Sequence, residues 1–277
     1  MEKILVSDAG EQSARIAYLY NALSALLPAC RPRLRFLAGQ SRSAVVLEGA
    51  GPDAQFRDAL RETIAETIAI GYKYSFLSAA LPLEGLALSE RKLFLCALIA
   101  ADLAAEKKYI RTRLQESGCL RDAPCALDGF FVFRLKGLKE KWDKIASYVP
   151  PDFTREEMDR FMRYFVDGNA GRAYVDGCSV YDGKYRLCRR GTLVGADGPG
   201  ELSAAAEILL CGAAEIHVCR PLSDGVTVFL RRYYGAHTFF ERADGEEGKT
   251  GKKVKNRQGK RLTIGAGGVT IKALKDK

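Results

Sequence analysis

The sequence contains few of the residues that most often bind metal ions or carry out catalysis. Only two of its 277 residues are histidine, His217 and His237, and no two of its eight cysteines form a CxxC pair. Zinc sites usually use closely spaced cysteine and histidine pairs, so we predict no metal site, and no motif points to another cofactor. The spacing of His217 and Cys219 is better explained by a buried strand, on which every second side chain points to the same face. We expect the cysteines to be reduced and mostly buried.

Long apolar runs are also missing. No stretch reaches the roughly 18 apolar residues that a membrane span requires. Residues 1–6 show no basic region, hydrophobic core and cleavage site in series, so a signal peptide is not predicted. We therefore expect a cytoplasmic protein. Since 47% of the residues are hydrophobic, the chain has enough apolar surface to bury a substantial core.

The positive charge is concentrated at one end of the chain. From residue 249 onward there are ten basic residues and one acidic residue, which carry the whole formal net charge of +9. The densest part consists of Lys249, Lys252, Lys253, Lys255, Arg257, Lys260 and Arg261. Such a segment binds the phosphate backbone of RNA or DNA with little sequence preference. A tail that only solubilises the protein is an equally good interpretation, and an anionic membrane surface is a third.

The pattern of apolar residues predicts an α+β fold with four segments. These are a small α/β unit (1–50), a helical core (51–170), a mixed α/β region (171–243) and a flexible, basic, Gly/Lys-rich tail (244–277). In the first segment we predict a strand at 3–6, a helix capped by Ser7 and Asp8, and two further strands.

Helical periodicity is strongest in the second segment. It predicts helices at 53–80, 89–115, 127–149 and 154–166. The second helix carries an alanine-rich stripe that suggests close approach of a neighbouring helix. The fourth begins with the capping box Thr154 and Glu157. The third has seven apolar residues on one face: Leu127, Phe131, Leu135, Leu138, Trp142, Ile145 and Val149.

Short strands alternate with helices in the remaining part. We predict a hairpin that turns at Asp182 and Gly183, a helix at 201–210 and a strand at 215–219. Residues 226–234 fit a helix and a strand, and we favour the helix, with Asp224 as its cap. A late hairpin is expected around residues 265–268, after a disordered stretch at 248–259.

Two of the predicted helices resemble a known family. The sequence DGFFVFRLK at 128–136 is similar to the EGFxxFRLK signature of the YtxC-like family of sporulation proteins from endospore-forming Firmicutes, and residues 158–166 resemble its second signature. The matching residues are Asp128, Gly129, Phe130, Phe133, Arg134, Leu135, Phe161, Tyr164, Phe165 and Val166. Asp128 stands where the family has Glu, and Gly137 interrupts the helix. The resemblance implies a link to sporulation and no assigned activity.

The chemical candidates in the helical core have ordinary structural explanations. Arg134 suits an anion or phosphate contact, but we favour an ion pair with Asp128, Glu156 or Glu157 because half-buried charges are normally paired. Six helical acids could converge in pairs at an acid–base or di-metal site, but solvated helix faces explain most of them: Glu62, Glu66, Asp102, Glu106, Asp128 and Asp159.

Two functional hypotheses follow. The preferred one is a non-enzymatic binding protein linked to sporulation, with an unidentified protein partner and RNA or DNA contacted through the tail; no catalytic residue is assigned. The alternative is an enzyme with a site between the helical core and the C-terminal third, lined by Arg134, Arg163 and acidic partners. The sequence does not indicate an oligomeric state.

Overall fold

The computed structural model describes residues 3–10, 13–26, 33–48, 54–118, 120, 124–196, 200–240, 260–265 and 268–273. Its contacts divide the chain into two compact units, Met1–Arg242 and Ala243–Lys277. The first unit contains two small sheets and a helical middle, which confirms the predicted α+β fold.

A four-stranded sheet forms the beginning of the first unit. Its strands, in the spatial order β2-β3-β1-β4, are β1 (Lys3–Ala9), β2 (Leu34–Ala38), β3 (Arg42–Glu48) and β4 (Cys125–Ala126). Strand β1 is antiparallel to β3 and parallel to β4. Helix α1 (Ala14–Leu26) buries Ile16, Leu19 and Leu23, which places an apolar stripe of period three to four in the core.

Asp8 does not cap the first helix as predicted. It lies on β1, is fully buried, and accepts hydrogen bonds from Ser13 Oγ (2.9 Å), Arg15 Nε (2.6 Å) and the hydroxyl of Tyr72 (2.6 Å). The backbone amide of Ile16 donates to Ser13 Oγ at 3.4 Å, so Ser13 occupies the capping position. The prediction failed because the partners of Asp8 include a residue 64 positions away.

Helices form the middle of the unit, close to their predicted limits. They are α2 (Ala54–Thr67), α3 (Lys73–Ala80), α4 (Leu88–Glu116), α5 (Leu127–Arg134), α6 (Lys136–Ser147) and α7 (Arg155–Gly168). A π-helical turn, Ile68–Tyr72, joins α2 to α3. The capping box of α7 is confirmed, because the amide of Glu157 donates to Thr154 Oγ1 and the amide of Thr154 donates to the Glu157 carboxylate.

The helix predicted at 127–149 is broken into two. Leu135 leaves helical geometry (φ −117°, ψ 30°) between α5 and α6, two residues before Gly137. The apolar face is nevertheless correct, because Leu127, Leu135, Leu138 and Trp142 are buried and the other three members pack against the core.

A second four-stranded sheet, in the order β6-β5-β7-β8, ends the first unit. Its strands are β5 (Gly171–Asp176), β6 (Ser179–Asp182), β7 (Ala213–Val218) and β8 (Thr238–Phe240). Strand β7 is parallel to both β5 and β8, and these crossovers contain helices α8 (Glu201–Leu210) and α9 (Asp224–Tyr233). The helical interpretation of residues 226–234 is therefore confirmed, although Ser223 rather than Asp224 is the cap residue.

The hairpin of this region turns earlier than predicted. Strands β5 and β6 pair across Gly177, whose φ of 60° suits glycine. The chain does reverse again at Asp182, whose carboxylate accepts the amides of Lys184 (2.9 Å) and Arg186 (3.0 Å). Only a single bridge, Tyr181 with Leu187, follows that turn.

The second unit contains the late hairpin that the sequence predicts. Strands β9 (Lys260–Gly265) and β10 (Gly268–Ala273) are antiparallel. Residues 241–259, including most of the predicted basic cluster and the stretch expected to be disordered, lie outside the described residues.

One continuous hydrophobic core joins the two sheets and the helices of the first unit. Its largest fully buried side chains include Trp142, Tyr234, Phe56 and Phe94. No helix among the described residues has the length and apolar character needed to cross a membrane.

Candidate functional site

A cavity of about 770 Å³ lies between α4 and the segments of the C-terminal third. Its floor is the exposed side of α4, where Ala101, Ala104 and Ala105 leave space because they have only a methyl group. Asn169, Arg190 and Cys211 form the opposite side. The location agrees with the alternative hypothesis of a site between the helical core and the C-terminal third.

The alanine-rich stripe of α4 serves two different purposes. At its N-terminal end, where Phe94 and Ala97 are buried, α4 packs closely against α8, whose Ala204–Ala206 run is also buried. This is the close helix approach that the sequence predicts. Further along, no element covers Ala101 and Ala105 among the described residues, and the same stripe becomes the cavity floor.

A buried ion cluster forms the inner wall of the cavity. Arg190 Nε lies 2.7 Å from Glu66 Oε1, and Arg190 Nη1 donates to the Leu210 carbonyl oxygen at 3.2 Å. Lys107 Nζ is 3.3 Å from Glu66 Oε1, and the Tyr18 hydroxyl donates to Glu66 Oε2 at 2.6 Å. The cluster therefore connects α1, α2, α4, α8 and the turn that carries Arg190.

Glu207 on α8 fixes the position of that turn. Its carboxylate accepts the backbone amides of Arg190 at 3.0 Å and Gly191 at 2.7 Å. A Cβ at Gly191 would lie 2.8 Å from the carbonyl oxygen of Ala196, so this close approach requires glycine. Burial raises the pKa of Glu207 although both amides and Arg190 act in the opposite direction.

The surroundings of Glu66 keep it ionised. Burial alone would raise its pKa, but the positive charges of Arg190 and Lys107 and the bond from Tyr18 outweigh that effect and lower the pKa to about 2. At the outer rim, Glu62 pairs with Lys107 (2.5 Å) and with Arg111 (3.1 Å). These ion pairs join two carboxylates to three cations, so the cluster keeps a small excess of positive charge.

The two histidines, the residue type that most often acts as a general acid or base in catalysis, lie away from the cavity. His217 stacks between Tyr174 and Phe239 on the second sheet, and His237 lies 3.8 Å from Asp167. No group of three or more potential metal ligands occurs in the described part of the chain. A nucleophile activated by a neighbouring base is not present at the described wall.

The predicted roles of Arg134 and Arg163 are not supported by their positions. Both side chains are exposed, and neither lines the cavity. The expected ion pair of Arg134 with Asp128, Glu156 or Glu157 is wrong, because Arg134 pairs with none of them. Asp128 pairs with Arg42 at 2.5 Å, and the Glu157 carboxylate accepts the amide of Thr154. The reason is topological: Arg42 begins β3, which the sheet places beside the start of α5.

The residues of the family-like motifs divide between core and surface. Phe130, Leu135, Phe165 and Val166 are buried, and Phe161 packs partly buried against the core. Phe133 and Tyr164 are exposed (82% and 78%). Packing therefore explains the first group, whereas it does not explain the two exposed aromatic residues.

The helical acids meet cations rather than one another. Glu66 pairs with Lys107 and Arg190 behind the cavity lining, and Glu106 is buried in a second cluster, where its Oε1 lies 3.1 Å from Lys73 Nζ and accepts from Trp142 Nε1 at 3.2 Å. Lys141 joins Glu106 to Asp102. The expectation that these acids occupy solvated helix faces is wrong for Glu66 and Glu106, whose partners are distant in the sequence.

The basic cluster is only partly within the described chain. Lys249, Lys252, Lys253, Lys255 and Arg257 lie outside it, whereas Lys260 and Arg261 belong to β9. The register of the hairpin places Arg261 opposite Lys272 and Thr263 opposite Thr270. Two basic residues therefore occupy directly opposed positions on a two-stranded ribbon.

Sequence reasoning missed Arg190, the central cation of the cavity wall. Its ion-pair partner Glu66 is 124 positions away, so no local spacing reveals the contact. The remaining signal is weak: an Arg-Arg-Gly sequence at 189–191 that follows Cys188 in a region without helical periodicity.

Comparisons of the chain with protein-family models, with curated proteins and with solved structures give no match. The similarity of residues 128–136 and 158–166 to the YtxC-like signatures therefore stays a prediction.

Proposed function

We propose that the protein is a non-enzymatic, cytoplasmic binding protein that contacts RNA or DNA through its basic C-terminal segment and acts in sporulation. The observation that carries this proposal is the separation of charge along the chain. Residues 249–277 hold ten basic residues and one acidic residue, whereas the rest of the chain sums to about zero. Such a segment attracts a polyanion and releases its counterions on binding.

The backbone of the second unit adds to this argument. Arg261 and Lys272 are directly opposed on β9 and β10, and like charges in such pairs destabilise a sheet. A polyanion bound to the ribbon would offset the two basic positions that this register brings opposite each other. A two-stranded β-ribbon also has the width that the major groove of B-DNA admits, so duplex DNA is a suitable partner in shape as well as charge.

The first unit supports a binding role for a different reason. Four ionic groups that line its cavity are held in ion pairs, namely Glu62, Lys107, Arg111 and Arg190, and both histidines lie elsewhere. An unidentified protein partner belongs to the same proposal; the exposed aromatic residues Phe133 and Tyr164 are the candidates for its contact.

Binding to nucleic acid is tested by fluorescence anisotropy with a labelled 20-base-pair DNA duplex and a labelled single-stranded RNA at 50 mM salt. The test variant replaces the seven clustered cations at 249–261 by Gln. The control variant replaces four exposed cations of the first unit, Arg134, Lys136, Lys139 and Lys144. We expect the affinity of the test variant to fall at least a hundredfold. The control variant should lose much less affinity for each charge removed. Equal losses per charge would contradict the proposal.

The link to sporulation rests on the family resemblance alone. It is tested in the host by deleting the coding sequence and counting heat-resistant endospores, with the intact sequence restored as the control. A deletion strain that sporulates normally would reject this part of the proposal without affecting the binding experiment.

A further inference from the structure

We propose that Cys188 and Cys211 are a redox modification site, at which a low-molecular-weight disulfide converts two thiols into an internal disulfide bond. The two sulfur atoms lie 2.9 Å apart, although the residues are 23 positions apart in the sequence. Both cysteines are reduced in the structure and half-buried.

The backbone on each side holds this contact in place. The amide of Cys188 donates to the Val180 carbonyl oxygen at 2.8 Å, which fixes Cys188 beside β6. The amide of Cys211 donates to the Glu207 carbonyl oxygen at 2.9 Å, and Cys211 is the C-cap residue of α8. Since both anchors are regular backbone hydrogen bonds, the sulfur atoms meet without any rearrangement of the chain.

The environment gives the two sulfurs different roles. Cys211 lines the cavity, so a small oxidant can reach it, and Arg190 Nη1 lies 3.8 Å from its sulfur. Cys188 lies behind it. By comparison, Cys96 is completely buried and Cys178 is exposed on the turn before β6.

The reaction balances as two successive exchanges. The Cys211 thiolate attacks one sulfur of oxidised glutathione, the S–S bond breaks, and one glutathione thiolate leaves and takes up a proton. The Cys188 thiolate then attacks the Cys211 sulfur of the mixed disulfide and releases the second glutathione. Two protein thiols are oxidised, and one glutathione disulfide is reduced to two thiols.

The same environment makes the reaction slow near neutral pH. The hydrogen bond with Cys211, together with burial, raises the pKa of Cys188 well above that of a free thiol. Only the thiolate attacks, so the closing step by Cys188 should be faster at pH 9 than at pH 7. A cytoplasmic thiol pair with these properties responds to sustained oxidation rather than to brief exposure.

The cross-link would close a loop that contains the Arg190 turn and the whole of α8. Because the loop spans 23 positions, restricting it in the unfolded chain should raise the Tm of the oxidised protein by about 6 °C. The Arg190 side of the cavity would then be tied covalently to the end of α8.

The experiment uses the full chain. Reduced protein is incubated with oxidised glutathione at pH 8, quenched in acid, unfolded and alkylated, and its intact mass is measured. We expect six alkylated cysteines instead of the eight present in the sequence, and no retained glutathione. Tryptic digestion should link the peptide 187–189 to the peptide 191–231, because trypsin does not cleave between Arg220 and Pro221.

Matched variants identify the bond. The peptide 191–231 also contains Cys219, so Cys219→Ser is the control and should keep the cross-link, whereas Cys211→Ser and Cys188→Ser should each abolish it. The Tm of each reduced variant shows whether it folds, and the wild-type mass measurement stands independently of the variants. Eight alkylated cysteines, a stable glutathione adduct on Cys211, or a link through Cys219 would overturn the proposal.

Discussion

The two units of the chain handle charge in opposite ways. In Met1–Arg242, the buried cations Lys73 and Arg190 each contact a carboxylate within 3.1 Å. In Ala243–Lys277, the register places Arg261 opposite Lys272, and from residue 249 only Asp276 is acidic. Buried charges in the first unit therefore have partners within the fold, whereas those of the second are the ones that we propose to bind an external anion. Removing a charge should accordingly lower stability in one unit and lower binding in the other.

The largest effect is expected at Glu106. Glu106→Gln leaves the fully buried ammonium of Lys73 without its counterion, which should lower the free energy of unfolding by about 3 kcal/mol. Burial already lowers the pKa of Lys73, although Glu106 opposes that shift. Urea denaturation measures the loss. The double variant Lys73→Met/Glu106→Gln should recover part of it, and a double variant less stable than Glu106→Gln would contradict the account.

Lowering the pH should remove the stabilisation that ionised Glu66 contributes to the fold. A carboxylate whose pKa is lowered from 4.5 to about 2 stabilises the fold fully above about pH 4.5, and this contribution is lost as the pH falls through 2. For Glu66 the contribution is about 3 kcal/mol at neutral pH, of which a large part should vanish between pH 5 and pH 2. The difference in unfolding free energy between wild type and Glu66→Gln, followed by urea titration, should shrink over that range. A constant difference would show that the Glu66 pKa is not lowered.

Arg190 should matter less than Glu106. When Arg190→Met removes the guanidinium, Glu66 keeps Lys107 at 3.3 Å and the Tyr18 hydroxyl at 2.6 Å. We expect a loss of about 2 kcal/mol in unfolding free energy, measured by the same denaturation. A loss larger than that of Glu106→Gln would show that the cavity wall, and not the Lys73 cluster, is the main ionic support of the fold.

In the second unit the same kind of change should leave stability almost unaltered. Arg261→Gln with Lys272→Gln removes the opposed cations and should weaken binding to a DNA duplex by about tenfold. The Tm of the protein should stay the same, or rise slightly because the like-charge pair is gone. Anisotropy and calorimetry on the same samples separate the two effects. A lower Tm with unchanged affinity would show that these two charges stabilise the fold and do not contribute to binding.

The smallest effect is expected at Arg134, which lies in the family-like sequence at 128–136. Its side chain is exposed and forms no ion pair with another described residue. Arg134→Ala should therefore change the free energy of unfolding by no more than about 0.5 kcal/mol. A larger loss in urea denaturation would restore the structural role that the sequence suggested.

Local patterns predicted the elements of the fold well. The capping box at Thr154 and the stop at Gly168 lie within one helix, so the limits of α7 needed no information from the rest of the chain. The break at Leu135 was harder, because an uninterrupted apolar face continues through it. Asp8 was misjudged since its buried acceptor role depends on Tyr72, 64 positions away.

The cavity could not be predicted in the same way. Its ion cluster combines Tyr18, Glu66, Lys107 and Arg190, which come from four separate elements. The Cys188 and Cys211 contact likewise depends on how α8 returns to the second sheet. Only the charge of the C-terminal segment was visible from the sequence, because net charge requires no knowledge of the fold.

The salt dependence of nucleic-acid binding tests the central claim most directly. The association constant for a DNA duplex is measured from 50 to 300 mM salt for the full chain and for a chain that ends at Gly248. If six or more cations of the segment contact phosphates, the logarithm of the association constant should fall against the logarithm of salt concentration with a slope of about −5 or steeper. The shortened chain should show no binding. A shallow slope for the full chain, or the same slope for both, would contradict the account.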